Sequence, residues 1–210
     1  MDGFTGFPEQ ALDFYDDLEV ENTRAFFTEH RATYDACVRA PMIALCAELG
    51  AEFGEAKVFR PHRDVRFAKD KSPYKTHQGA FVAVAPRTGW YVEIAAPGMR
   101  VAAGIYDADS AQLARIRHAI DDDRTGQELE RVVADLERQG YTISGEQLRT
   151  APRGWSTDHP RIALLRHKQL VAGRHYGFEG LDDPALVDRV RADWRAMRPL
   201  LDWLHPRAAP

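Results

Sequence analysis

Leu12, Tyr15 and Leu18 recur at three-residue spacing behind Pro8, with Phe14 beside them. That rhythm predicts a helix over residues 8–19 with proline in its first turn. Glu21, Asn22 and Thr23 offer caps for a second helix carrying Phe26, Phe27, Tyr34 and Val38. Pro41 must restart or kink that helix, and MIALCAELG carries it to Gly50, the expected stop. From residue 57 to 106 the period shortens. VFRPHRDVRF, GAFVAVA, WYVEIA and RVAAGIY read as strands separated by KDKSPYKT, PRTG and APG. Links this short join antiparallel neighbours, because parallel strands need long crossovers.

Helical spacing then returns. Asp107 and Asp109 cap a helix with Leu113, Ile116 and Ile120 inward. Thr125 and Glu128 form a capping-box pattern for the next, which carries Leu129, Val132, Val133 and Leu136. Tyr141 to Arg149 reads as extended, Asp158 and Pro160 open a short helix IALLRH, and KQLVAGRHY reads as a strand. Asp183 and Pro184 open a last helix whose inner face is Leu186, Val190, Trp194, Met197 and Leu201. With no repeat, linker or low-complexity segment, residues 1–210 are expected to form a single α+β domain. Its sheet is mostly antiparallel, helices pack on it, and both termini are helical.

Composition changes this picture little. At 210 residues, 44% hydrophobic and 29% charged, with four Trp, seven Tyr and ten Phe, the chain reads as an ordinary folded domain. MDGFTGFPEQ has neither the basic nor the apolar region of a signal peptide, and AFVAVAP and VAAGIY are too short to span a bilayer. Cys37 and Cys46, nine residues apart in one helical stretch, point to opposite faces. No disulfide and no membrane association are expected, and the location is expected to be cytoplasmic.

Charge changes it more. The formal charge is −4, yet residues 57–77 carry +5 and residues 149–175 another +5, leaving −14 on the remainder. Five of the eight His lie in the same two windows. Such segregation suits a focused anion site. Two solvated loops paired to acidic helices would give the same pattern. In the first window Asp64, between Arg63 and Arg66, is placed to orient a guanidinium. Val65 and Phe67 alternate with Arg66, and Pro73 stiffens the turn KSPYK.

The run RDVRFAKDKSPYKTHQGAF resembles the signature of a mainly microbial family catalogued as a domain of unknown function, the DUF2461-like conserved hypothetical proteins. FPEQALDFYDDLEVENTRAFFTEHRATYD is similar to its N-terminal helices, APRGWSTDHPRIALLRHKQLV to its second signature, and WRAMRPLLDWL to its last helix. Nearly the whole chain is covered. Members often carry Ser where Ala68 stands here, so that position is assigned no hydroxyl chemistry. The resemblance implies no reaction, cofactor or catalytic residue. It does place the two signatures on the two basic windows.

Familiar chemistry is mostly missing. The chain has no G-x-S-x-G, P-loop, G-x-G-x-x-G, C-x-x-C or H-E-x-x-H. His62, Asp64 and His77 could gather around a metal only after folding, and no metal site is assigned. Asp158 and His159 offer an acid–base pair, but the N-cap is the expectation for Asp158. Glu93 is expected to face solvent, and Trp90, Tyr91 and Tyr106 to pack on the sheet or core. The sequence therefore predicts one basic cleft for a phosphate- or carboxylate-bearing small molecule. Arg63, Arg66, Lys69, Lys71, Lys75 and His77 would line one wall, with Asp64 orienting. Arg153, His159 and Lys168 would line the other. Catalysis and cofactor are left unassigned. The alternatives are a nucleic-acid-binding module, which the pI of about 6.1 disfavours, or a scaffold without a ligand.

Overall fold

The computed structural model describes residues 3–66 and 69–209. Helices α1 (Gln10–Val20), α2 (Arg24–Glu29) and α3 (Arg31–Thr33) lead into a π-helical turn, Tyr34–Arg39, and α4 (Ala40–Phe53). Strands β1 (Ala56–Val58), β2 (His77–Ala85), β3 (Thr88–Ala95) and β4 (Gly98–Ile105) follow. Helices α5 (Ser110–Asp121) and α6 (Asp123–Arg138), strand β5 (Thr142–Ser144), α7 (Ile162–Leu165), strand β6 (Leu170–His175) and α8 (Leu186–Ala208) complete the chain. The six strands form one antiparallel sheet in the order β1-β2-β3-β4-β6-β5. The α+β class, antiparallel hairpins and helical ends are those the pattern predicts. Among the described residues no helix is long and apolar enough to cross a membrane.

The chain divides into two compact units, residues 1–82, 91–101 and 175–192 in one, and residues 83–90, 102–174 and 193–210 in the other. The first unit is organised by aromatic packing. Phe14 lies 5.2–6.1 Å, between ring centroids, from Tyr15, Phe26, Phe27 and Tyr34, and Phe27 stacks on Tyr74 at 4.0 Å. Thr23 caps α2, its hydroxyl accepting from the Phe26 N–H at 3.1 Å. Pro41 sits in the first turn of α4 directly after the π turn, where the Ala40 N–H reaches back to the Asp35 carbonyl. The wider turn takes up the break that proline would otherwise force. The helix passes Gly50 and stops at Gly54 instead, where φ is +101°. Both cysteines are free, and burial pushes the Cys46 thiol up to about 12.

The second unit packs α5, α6 and the end of α8. Trp90 stacks on Trp194 at 5.7 Å, and the Trp203 indole donates to the Thr125 carbonyl at 2.9 Å. Three local expectations are corrected here. The cap of α6 is Asp122, whose carboxylate accepts from the Thr125 N–H at 2.9 Å, so the capping-box reading at Thr125 and Glu128 lies one turn too late. Thr125 is inside the helix, and its hydroxyl donates to the Ala119 carbonyl. Asp158 caps nothing: α7 starts at Ile162, behind Arg161. Among the described residues of VFRPHRDVRF, only Val58, the end of the short edge strand Ala56–Val58, and the isolated bridge from His62 to Tyr74 are sheet-like.

Candidate functional site

The reason for that last correction also builds the site. Residues 61–66 and 69–75 are drawn together at their base by two backbone rungs. Arg63 N–H donates to the Pro73 carbonyl at 2.9 Å, and Lys75 N–H to the Pro61 carbonyl at 2.8 Å. Both prolines lack an N–H, so each occupies the accepting side of a rung and a regular ladder cannot extend. Asn22 pins this loop to the helices as a strand edge would. Its amide donates to the Tyr74 carbonyl and its oxygen accepts from the Tyr74 N–H, both at 3.1 Å.

Arg63, Arg66 and Lys71 find their acceptors within the loop. Asp64 takes Arg66 in a bidentate pair, at 3.0 Å from Nε and 2.6 Å from Nη2, which holds its carboxyl down at about 2. Arg63 pairs with Asp70, and Lys71 donates to the Val65 carbonyl at 2.9 Å. Asp70 also accepts from the Ser72 N–H and hydroxyl.

The base of the loop meets one face of the sheet. Alternation in β2 and β3 buries Gln78, Ala80, Val82, Val92 and Ile94 on one side. Gln78 anchors that side, accepting from the Tyr34 hydroxyl at 2.6 Å and donating to the Phe59 carbonyl at 2.8 Å. The other side carries His77, Gly79, Tyr91 and Glu93. The Tyr91 hydroxyl donates to Glu93 at 2.5 Å, and Arg100 stands 3.9 Å from the same carboxylate. Gly79 is what admits the phenol ring: a Cβ there would stand 2.5 Å from the Tyr91 oxygen. Lys75 Nζ lies over the Phe59 ring, 5.1 Å from its centroid.

Electrostatics on this face are consistent with the geometry. Burial pushes the His77 imidazole below its ordinary value, and Lys75, Arg63 and Arg100 push the same way against the opposing pull of Glu93. Burial, then the charges of Arg60 and Arg63, lower Lys75. Burial, then Glu93, raise the Tyr91 phenol. Among the described residues no carboxylate stands within ion-pair distance of Lys75 or Arg60. A neutral imidazole, a carboxylate and a phenol beside unpaired cations can hold an anionic group and exchange a proton with it.

Of the residues the sequence singled out, Arg63, Lys75 and His77 belong to this base. Asp64, Arg66, Lys69 and Lys71 belong to the exposed tip, while Phe67 and Ala68 lie outside the described residues. Arg153, His159 and Lys168 belong to the second unit. There His159 Nε2 lies 3.0 Å from Asp121 Oδ1 and Lys168 pairs with Glu146, whereas Arg153 is exposed on a loop. Among the described residues no three His, Cys, Asp or Glu gather as a metal site would require. Sequence reasoning missed Phe59, Tyr91, Glu93 and Arg100. Glu93, expected to face solvent, is only 19% exposed at its side chain because Tyr91 and Arg100 enclose it. The available signal was Gly79 in mid-strand, a place where something else must approach the backbone.

A family model described as "Conserved hypothetical protein (DUF2461)" matches residues 10–203. No curated protein and no solved structure matches the chain.

Proposed function

The chain belongs to the DUF2461 family of conserved hypothetical proteins, and from that premise we propose that it binds a small molecule bearing a phosphate or carboxylate at the base of the first basic loop. One observation carries this reading. Lys75 is half-buried beside Arg60 and Arg63, on a polar sheet face, without a carboxylate of its own. A half-buried ammonium among like charges is costly unless an anion joins it. Arg66 and Lys71 at the tip do not share this need, because each already has an acceptor in the loop. Nor do His159 and Lys168, each facing an acid of its own unit. His77 supplies a donor that gains charge when an anion arrives, and Glu93 with Tyr91 supplies a fixed acceptor for a neutral part of the ligand.

The test is calorimetric titration and thermal shift with phosphate, small carboxylates and phospho-sugars on wild type, Lys75→Ala and Arg66→Ala. A charge-assisted bond to the ligand is worth about 1.5–3 kcal/mol, so Lys75→Ala should weaken binding roughly ten- to hundredfold. Arg66→Ala should leave affinity within about threefold of wild type, as expected for a surface ion pair. The reading fails if no anion raises the wild-type melting temperature, or if Lys75→Ala binds as wild type does.

A further inference from the structure

A second groove lies within the other unit, between α5 and residues 149–158, with a volume of about 420 Å³. That is in the range of small-molecule sites, roughly 300–1,000 Å³. Ser110, Arg117, His118 and Asp121 line it from the helix, and Arg153 and Trp155 from the loop. We propose that this groove binds a nucleotide-class ligand, with an aromatic base stacked on Trp155 and a phosphate held by Arg153 and Arg117.

Three observations converge. Trp90, Trp194 and Trp203 are all buried in the core, whereas Trp155 stands half-exposed on an irregular loop. Its ring tilts against His118, with 5.7 Å between centroids and 57° between planes. A partly exposed indole lining a groove with two arginines is the arrangement on which bases stack. The two arginines are uncommitted. Most other cations of the second basic window have acids: Arg161 meets Asp123, Lys168 meets Glu146, and Arg174 meets Asp193. Among the described residues neither Arg117 nor Arg153 has a carboxylate within ion-pair distance. Arg117 is held by its Nε, which donates to the Leu165 carbonyl at 3.2 Å, so its remaining N–H groups are presented in a fixed place. Finally, the groove's own acid, Asp121, is already bound to His159 at 3.0 Å and does not neutralise the arginines. Gly154, with φ at +97° and open space where a Cβ would stand, turns the chain between Arg153 and Trp155 so that both reach the groove.

Trp155 is also the reporter, since the other three tryptophans are buried. Adenosine and uridine monophosphates should quench its fluorescence saturably, while the nucleosides and inorganic phosphate should bind about tenfold more weakly or worse. Arg153→Ala, on an exposed loop, should fold as wild type and lose about tenfold in nucleotide affinity by calorimetry. Trp155→Leu should abolish the quenching and weaken calorimetric binding. Lys75→Ala, in the other site, should leave the Trp155 quenching curve unchanged. An oligothymidylate that binds more tightly than the monophosphate would assign the ligand to a single strand, and equal affinities would assign it to the free nucleotide. The proposal is overturned if millimolar nucleotide leaves the fluorescence unchanged. It is equally overturned if Arg153→Ala binds as wild type, or if Lys75→Ala removes the signal.

Discussion

Gly79 decides whether the polar face of the sheet can exist. A methyl group there would sit 2.5 Å from the Tyr91 oxygen and 2.9–3.0 Å from its ring. Gly79→Ala should therefore cost about 1–3 kcal/mol in wild type, the range for forcing an atom into packed space. It should cost less in a Tyr91→Ala background. A double-mutant cycle in denaturant measures the difference, and equal costs in both backgrounds would show that the ring is not the obstacle. His77 makes a second prediction. Its folded-state value lies below the unfolded imidazole value of 6.5, so between the two the unfolded chain binds more protons. Stability is then full above the unfolded value and falls as pH drops toward the folded one. His167, also lowered by burial, works in the same direction. His77→Gln should flatten the fall in melting temperature below about pH 6.5 without removing it, because His167 remains. An unchanged slope would mean that His77 is not depressed.

At the scale of elements, regular periodicity was legible and punctuation was less so. The hairpins of β2, β3 and β4 follow from alternating runs joined by two-residue links, and the inner face of α8 is buried as its spacing requires. The π turn was invisible, because one extra residue in a turn leaves the apolar spacing of Tyr34 and Val38 intact. The loop at 61–75 read as strand because sequence shows prolines but not which carbonyls they offer. Lys75 and Arg63 were legible in the sequence, whereas Glu93 and Arg100 on the sheet face were not. Charge segregates along the chain, but which face of β3 lies open depends on which helices cover the other. Capping gives a direct test of reading against structure. Asp122 holds the Thr125 N–H, and that bond lowers its carboxyl, whereas the side chain of Glu128 makes no cap. Asp122→Ala should lower the melting temperature by about 2–4 °C, the shift a lost cap produces in a chain of this size. Glu128→Ala should leave it within about 1 °C. The reverse result would restore the capping box that the sequence pattern suggests.

Over the whole molecule, the net charge has the same sign as the proposed ligand. The formal charge is −4, and the first loop's +5 is set against it. An anion far from the protein is weakly repelled, and one at Lys75 is attracted by charges a few ångströms away. Salt screens the first effect before the second, since the Debye length is about 10 Å at 0.1 M. Much of the second window's charge is answered by Asp123, Glu146 and Asp193, so it adds little at long range. A single phosphate monoester at the Lys75 site should therefore lose less than about tenfold in affinity when salt rises from roughly 50 to 200 mM. A polynucleotide lying along the basic loop over six to ten phosphates would lose roughly 10³–10⁵ over the same change. Calorimetric titration of both ligands at the two salt concentrations separates the cases. If the monoester's affinity collapses with salt while the oligonucleotide binds far more tightly at low salt, the compact anion site is wrong and the loop is a nucleic-acid contact. If the monoester holds its affinity and Lys75→Ala removes it, the charge of residues 57–77 serves one local anion.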